Sequence, residues 1–239
     1  MKEKVIVSWS GGKDSALALY ELQKSCEIVA LMTTITRDYD RISMHGTRRT
    51  LLELQAKSLG FPLEKVFISK SVSNEQYESK MRNVLTRYLA AGVRSVVFGD
   101  IFLENLREYR ENNLSRMGMK AIFPIWRKDT GQLAQTFIDL GFKAVITCVD
   151  SDFLDKEFVA RLFDEQFLSD LPPSVDPRGE NGEFHSFVFD GPLLQNRVSH
   201  AIGQVVLRES RFYYCDLIPL QESKTVAGPV MQQARLFND

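Results

Sequence analysis

Short apolar runs alternate with longer amphipathic segments over the first half of the chain. The runs are rich in β-branched residues, as expected for buried strands, whereas the segments repeat apolar residues at helical spacing. Strands are predicted at residues 5–9, 27–34, 65–68 and 95–98, and helices at 16–22, 47–59 and 74–91. Because short connections join these elements in βαβ order, we predict an α/β fold with a Rossmann-like, doubly wound parallel sheet and right-handed crossovers.

The pattern becomes less regular in the second half of the chain. Helices are predicted at 104–117, 131–140 and 153–167, an edge strand at 121–126 and a buried strand at 144–149. A loop rich in proline and glycine follows at 171–183, and antiparallel strands are predicted at 184–189, 205–207 and 212–217. We therefore expect a domain boundary near residues 120–130, while the tail from Gln221 carries only weak signals.

Composition narrows the classes of function. The 239 residues are 44% hydrophobic and 26% charged, which is typical of a globular protein. A net charge of −1 argues against general affinity for nucleic acid, so we expect no such partner. Cys26, Cys148 and Cys215 form no Cys-x-x-Cys pair and predict reduced thiols of a cytoplasmic protein. We expect neither a signal peptide nor a membrane span, since no apolar run approaches ~20 residues.

A glycine-rich motif separates the first strand from the first helix. It consists of Ser10, Gly11, Gly12, Lys13, Asp14 and Ser15. Free backbone N–H groups at the start of a helix, beside glycines that allow close approach, form an anion site. Lys13 adds a positive charge, the serines add hydroxyl donors, and Asp14 is the candidate ligand for a metal that bridges phosphates. The spacing matches neither the P-loop nor the dinucleotide-binding pattern.

The order strand, Ser-Gly-Gly-Lys-Asp-Ser and helix resembles the PP-loop of the ATP pyrophosphatases. The resemblance implies that ATP is cleaved between its α and β phosphates, with the pyrophosphate half held by the loop. The AMP half is then passed to a carbonyl or carboxylate group. The resemblance also implies Mg²⁺, held by the phosphates and by Asp14.

Two further strand ends are expected at the same edge of the sheet as this loop. Leu31, Met32 and Thr33 lie at the end of the second strand, where open α/β sheets bind ligands. Gly99 and Asp100 follow the fourth strand, and Asp100 is a candidate group for binding ribose, a metal or water. The alternative for Asp100 is a helix N-cap, and the two roles are compatible.

The loop from Gly179 to Ser186 carries an unusual density of polar groups. Glu180 and Glu183 are candidates to bind an amine or to act as general bases, and His185 is a candidate proton shuttle. The alternative is a solvated acidic turn. A fourth candidate, the segment from His45 to Arg49, follows the second strand, and Arg48 or Arg49 could neutralise a phosphate or an acceptor carboxylate there. The alternative is a helix start with solvated arginines.

Several motifs narrow the resemblance to the diphthine–ammonia ligases, one branch of the PP-loop enzymes. They are Gly-Glu-Asn-Gly-Glu-Phe at 179–184, Asp-Gly-Pro-Leu at 190–193, Gly-Asp-Ile at 99–101 with Arg107, Arg110 and Glu111 on the next helix, and Phe-Pro-Ile-Trp at 123–126. The chain departs from the family pattern at Arg178, where the family often has cysteine, and at His185 and Ser186, where it has an acidic residue and threonine. These departures fall where the acceptor should bind.

The resemblance implies a nucleotide-binding domain at 1–125, a smaller mixed α/β acceptor-binding domain at 126–239, and an active site in the cleft between them. We therefore predict an ATP-dependent amide ligase with ATP, ammonia and a carboxylate acceptor as partners, where the acceptor is a small molecule or a modified protein side chain. Arg107, Arg110 and Arg178 join His45 and Arg48 as candidate acceptor-binding residues. The alternatives are a tRNA-modifying or sulfur-transferring PP-loop enzyme, which the unpaired cysteines disfavour, and a non-catalytic adenine-nucleotide-binding protein.

Overall fold

The computed structural model describes residues 2–43 and 45–220, so the tail from Gln221 lies outside the described residues. The helices are α1 (Lys13–Leu22), α2 (Arg49–Leu59), α3 (Asn74–Ala90), α4 (Glu104–Ser115), α5 (Thr130–Asp139) and α6 (Glu165–Asp170), with a 3₁₀ turn at Lys156–Phe158. The strands are β1 (Glu3–Ser8), β2 (Cys26–Thr36), β3 (Arg41–Ile42), β4 (Leu63–Ile68), β5 (Ser95–Val97), β6 (Lys120–Ile122), β7 (Lys143–Asp150), β8 (Phe184–Asp190), β9 (His200–Arg208) and β10 (Phe212–Pro219).

The first sheet is the predicted parallel sheet. Its five parallel strands lie in the order β4-β2-β1-β5-β6, and the short β3, within the predicted loop 36–46, runs antiparallel to the end of β2. The chain leaves β1 toward β2 on one side and later returns to β5 on the other side. Such a reversal opens a crevice at the carboxyl ends of the two central strands, and the glycine-rich motif follows β1 at this point.

Alternating side chains on β1 divide the core into two layers. Val5 and Val7 belong to one cluster with residues of α1 and α2, whereas Ile6 belongs to a second cluster with residues of α3 and α4. Helices therefore cover both faces of the sheet, which confirms the doubly wound arrangement.

The second sheet is antiparallel throughout, in the order β8-β7-β10-β9. Its apolar residues join the same core cluster as α1 and α2, and Phe187 and Val188 of β8 are fully buried there. The antiparallel strands predicted near the C-terminus are thus confirmed, and β8 packs directly against the helix that follows the glycine-rich motif.

The helix predicted at 153–167 is wrong. Ala160 has a positive φ of 67°, and the segment that follows runs alongside β7. The N–H of Ala160 donates to the carbonyl of Ile146 at 2.9 Å, and the N–H of Phe163 donates to Ala144 at 2.9 Å. Leu162, expected to face inward, is 51% exposed. Apolar spacing alone could not reveal that this backbone bonds to a strand.

The end of β5 approaches the glycine-rich motif at Gly99. A Cβ on Gly99 would lie 2.8 Å from the carbonyl carbon of Asp14 and 2.9 Å from the backbone nitrogen of Ser15. These distances are shorter than any ordinary contact, and the atoms are backbone, so they cannot move aside cheaply. The glycine predicted to admit a ligand therefore also admits the backbone of the neighbouring loop.

We expect Gly99→Ala to lower the free energy of unfolding by about 2 kcal/mol, because the added methyl group must displace the start of α1. Gly131→Ala, in the first turn of α5, is the matched control, since its Cβ would meet only a side-chain oxygen of the exposed Asp129, at 3.3 Å. Urea denaturation of both variants measures the difference. Equal stability of the two variants would contradict the backbone clash.

Candidate active site

A cleft of about 920 Å³ lies at the carboxyl ends of β1, β2 and β5. The loop before β8 and the turn between β9 and β10 line its other side. The predicted site residues that line this cleft are Ser10, Gly12, Lys13, Asp14, Ser15, Met32, Thr33, His45, Gly99, Asp100, Arg110, Glu180 and His185. Those that do not line it are Gly11, Leu31, Arg48, Arg107, Arg178 and Glu183.

The second sheet holds the glycine-rich motif in place. The N–H of Val188 donates to the carbonyl of Gly11 at 2.9 Å, and the hydroxyl of Ser186 accepts from the N–H of Lys13 at 3.2 Å. From α2, the Gln55 side chain donates to the carbonyls of Gly11 (3.0 Å) and Val188 (2.6 Å). The loop is therefore braced by residues that lie more than 40 and more than 170 positions away in the chain.

Lys13 and Asp14 form an ion pair within the cleft wall. The Lys13 ammonium lies 3.0 Å from Oδ2 of Asp14 and 4.8 Å from the centre of the Phe184 ring. Burial lowers the pKa of Lys13, although the Asp14 charge opposes this effect. Burial alone would raise the pKa of Asp14, but the charges of Lys13 and Arg178 outweigh it and lower that pKa.

Arg178 forms an ion pair with the other carboxylate oxygen of Asp14. Its Nε and Nη2 lie 2.9 Å and 2.7 Å from Oδ1, and the arginine is fully buried. Both carboxylate oxygens therefore already hold a cation, so Asp14 does not fit the predicted role of metal ligand in this arrangement. Within residues 2–43 and 45–220, no cluster of three or more histidine, cysteine, aspartate or glutamate side chains could hold a metal ion.

The two glutamates of the Gly-Glu-Asn-Gly-Glu loop face different surroundings. Glu180 lines the cleft, and its Oε1 accepts from the N–H of Ile101 at 2.6 Å, which ties this loop to the end of β5. Burial, with the nearby charges of Asp14 and Asp100, raises the pKa of Glu180 to about 7. Glu183 is buried and turns into its own loop, where it accepts from the N–H groups of Asp176 and Asn181.

Two imidazoles meet across the cleft. The ring centres of His45 and His185 are 4.4 Å apart, and the two residues come from the loop after β3 and from β8. Burial lowers the pKa of His45 to about 4 and that of His185 well below its ordinary value, with the Lys13 charge adding to both shifts. Both rings are therefore neutral at pH 7, and Nδ1 of His45 has no hydrogen-bond partner within the described part of the chain.

Asp100 and Arg110 form a second ion pair at the cleft. Nε of Arg110 lies 2.6 Å from Oδ2 of Asp100, and its guanidinium covers the Phe98 ring at 4.2 Å. Burial raises the pKa of Asp100 despite this partner. The N-cap of α4 is Leu103, so Asp100 does not serve as the helix cap considered as its alternative.

The remaining predicted arginines bind protein groups outside the cleft. Arg48 donates to both oxygens of Asp216 at 2.8 Å and 2.6 Å and so joins the start of α2 to β10. Arg107 donates to Glu111 at 2.8 Å and lies over the Trp126 ring at 4.7 Å. Leu31 is fully buried in β2. Acceptor binding by the two arginines and nucleotide binding by Leu31 stay predictions.

Models of known protein families match both halves of the chain. The diphthamide synthase N-terminal domain matches residues 3–121, and the diphthamide synthase C-terminal domain matches residues 129–215. The chain belongs to the diphthamide synthase family. Its sequence is 26% identical over 230 residues to a diphthine–ammonia ligase of Schizosaccharomyces pombe, covering 87% of this chain and 38% of that protein.

A second relative of this diphthamide synthase family member is a diphthine–ammonia ligase of Danio rerio, 25% identical over 217 residues, with 82% of this chain and 85% of that protein covered. The chain thus spans well under half of the yeast relative but most of the fish one. Among solved structures, a predicted subunit of tRNA methyltransferase from Methanocaldococcus jannaschii is similar, with a TM-score of 0.42 and 19% identity over 59% of this chain and 80% of that chain.

Some residues that line or support the cleft could not be recognised from the sequence. Gln55 stands among the apolar residues of α2, and only its burial beside the motif reveals its role. Trp9 donates to Gln55 at 2.7 Å. Arg211, in the β9–β10 turn, lines the far side of the cleft and donates to the buried Asp150 at 2.8 Å.

No helix in residues 2–43 and 45–220 is long and apolar enough to cross a membrane.

We expect the His45 imidazole to destabilise the fold as the pH falls from 7 to 5, whereas Glu180, whose pKa is raised to about 7, changes stability in the opposite direction. An unfolded histidine has a pKa near 6.5 and binds a proton at pH 5, whereas folded His45, with a pKa of about 4, does not. His45 should therefore contribute a loss of about 2 kcal/mol between these two pH values. Urea unfolding of the unaltered protein and of His45→Gln, at pH 7 and at pH 5, isolates this contribution.

Between pH 7 and pH 5, the stability of His45→Gln should fall about 2 kcal/mol less than that of the unaltered protein, because the variant lacks one of the two half-buried imidazoles. His200→Gln, which removes an imidazole from β9 outside the cleft, should respond to pH as the unaltered protein does. An identical pH dependence of His45→Gln and the unaltered protein would contradict the neutral state of this ring.

Proposed function

We propose that this chain is an ATP-dependent ligase that joins ammonia to a carboxylate, with AMP and pyrophosphate as the other products. The observation that carries the proposal is the Ser10–Ser15 motif, which begins a helix at the strand-order reversal of a parallel sheet, beside a cleft of nucleotide size. Family membership supports the same reaction, since the curated relatives are named diphthine–ammonia ligases.

The backbone N–H groups at the start of α1 and the Lys13 ammonium are suited to hold the pyrophosphate half of ATP. The acceptor carboxylate attacks the α-phosphorus, the bond to the bridging oxygen breaks, and the charge developing on pyrophosphate meets the dipole of α1 and Lys13. Ammonia then attacks the carbonyl carbon of the acyl-adenylate, which gives the amide and releases AMP. One proton must leave the attacking nitrogen in this second step.

Glu180 is our candidate for the base that accepts this proton. It lines the cleft, and a pKa of about 7 allows it to exchange protons near neutral pH. Met32, Thr33, Gly99 and Asp100 are assigned to the nucleoside half of ATP, because they lie at the strand ends that flank the motif.

The acceptor is proposed to bind on the side of the cleft formed by the second sheet. His185 and Arg211 lie there, and His45 reaches His185 from the loop after β3. We assign nucleotide binding to residues 1–125 and acceptor binding to residues 126–239. Because the neutral His185 stands where the family pattern has an acidic residue, this site suits an acceptor that has no cationic group beside its carboxylate, and diphthine itself is not required.

Sulfur transfer is disfavoured by the state of the thiols. Burial raises the pKa of Cys148 to about 12 and that of Cys215 to about 11, so neither is poised as a thiolate nucleophile. Neither lines the cleft, and no disulfide partner lies near Cys26, Cys148 or Cys215 among the described residues.

Isothermal titration with ATP, followed by assay of AMP and pyrophosphate with ammonium chloride and a panel of carboxylates, tests the proposal. We expect Lys13→Met to weaken ATP binding at least tenfold, because it removes the positive charge beside the phosphates. Lys24→Met, at an exposed position after α1, should bind ATP like the unaltered protein. ATP binding without AMP formation across the panel would favour the non-catalytic alternative, and unchanged binding by Lys13→Met would contradict the assigned phosphate site.

A further inference from the structure

The geometry points to Arg178 as a positioning residue for ATP, which acts through Asp14 on Lys13, and to Asp14 as an ion-pair partner instead of a metal ligand. This inference rests on the proposed function, because it concerns the same ATP site. It changes the predicted roles of two residues: Arg178 was expected to bind the acceptor, and Asp14 was expected to bind Mg²⁺.

The three side chains form a continuous chain of charge contacts. Nε and Nη2 of Arg178 converge on Oδ1 of Asp14 at 2.9 Å and 2.7 Å, while the Lys13 ammonium lies 3.0 Å from Oδ2. The carboxylate is therefore held at both oxygens, and its orientation sets where the ammonium lies. Arg178, 164 positions from Asp14 in the chain, thereby controls the lysine of the glycine-rich motif.

The Arg178 guanidinium is itself immobilised by the core. The residue is 0% exposed, and its guanidinium lies 5.3 Å from the centre of the Phe137 ring and 5.7 Å from that of Phe163. Nη1 is 3.4 Å from the carbonyl of Leu133 on α5. Because neither ring can be displaced without opening the core, the guanidinium provides a fixed point for Asp14.

Arg178 also determines the net charge of this part of the cleft wall. Lys13 and Asp14 cancel each other, so without Arg178 this part of the cleft wall would be neutral. With Arg178 the three groups carry a net charge of +1, at a place where attraction is weakly screened by solvent. The carboxylate allows two cations to be buried side by side, and the surplus charge remains available to attract an anion.

The same contacts leave Asp14 poorly suited to a divalent cation. Each oxygen already faces a cation within 3.0 Å, and a metal ion would have to displace one of them against the repulsion of the other. We therefore infer that the protein does not add a carboxylate from Asp14 to any Mg²⁺ that accompanies ATP.

Titration calorimetry with ATP, once with excess Mg²⁺ and once with EDTA, separates these roles. Arg178→Met should weaken binding about tenfold under both conditions, with the ratio of the two dissociation constants unchanged, because the variant loses charge and not a metal ligand. Arg178→Lys should recover part of this loss. Asp14→Asn should keep the Mg²⁺ to EDTA ratio within twofold of that of the unaltered protein.

Arg161→Met is the matched control. Arg161 also lies over two phenylalanine rings, at 5.2 Å and 5.6 Å, and its Nη2 is 2.6 Å from an aspartate oxygen, but it does not line the cleft. It should bind ATP like the unaltered protein. If Arg178→Met fails to fold by near-ultraviolet circular dichroism, Arg178→Lys and Asp14→Asn still provide the test.

If Arg178→Met and Arg178→Lys fold and bind ATP like the unaltered protein, the positioning role is overturned. A gain of ATP affinity by Arg178→Met that occurs only with excess Mg²⁺ would also overturn it. If Asp14→Asn binds ATP equally well with Mg²⁺ and with EDTA while the unaltered protein does not, Asp14 is a metal ligand. Absence of ATP binding by the unaltered protein would instead overturn the proposed function, so the two failures are distinguishable.

Discussion

The contact between β8 and the loop after β1 is the interaction on which the cleft depends. The Gly11 carbonyl accepts from the N–H of Val188, and the N–H of Lys13 donates to the hydroxyl of Ser186. The second sheet thus supplies hydrogen-bond partners for the loop that follows the first strand. A glycine-rich turn is entropically costly to fix, and bonds from both sides offset that cost. The same strand brings Phe184 beneath the Lys13 ammonium and His185 against His45.

This arrangement separates two kinds of electrostatic environment within one cleft. Beside the loop, charged groups occur in contacting sets, with Lys13, Asp14 and Arg178 in one and Asp100 and Arg110 in another. At the start of β8, His185 meets His45 from the loop after β3, and burial keeps both imidazoles neutral. The first environment suits a polyanion, and the second suits a reacting group that carries little charge.

The sequence predicted the parallel sheet and the position of the glycine-rich motif well, because strand and helix periodicities and glycine loops are local properties. It failed at 153–167, where a helical spacing of apolar residues belongs to a segment that bonds to β7. The site was only partly predictable for a related reason. Glu180 and Glu183 look equivalent along the chain, yet one faces the cleft and the other turns into its own loop.

The bond between Val188 and Gly11 also bears on how the protein is made. On a ribosome that adds roughly 5–20 residues per second, the motif emerges about ten to thirty seconds before β8 does. During that interval the nascent chain can form the β1–α1 unit, but the motif has no strand to brace it. If the motif binds ATP as proposed, this affinity is acquired only when the second sheet docks, so a truncated product of translation would not sequester ATP.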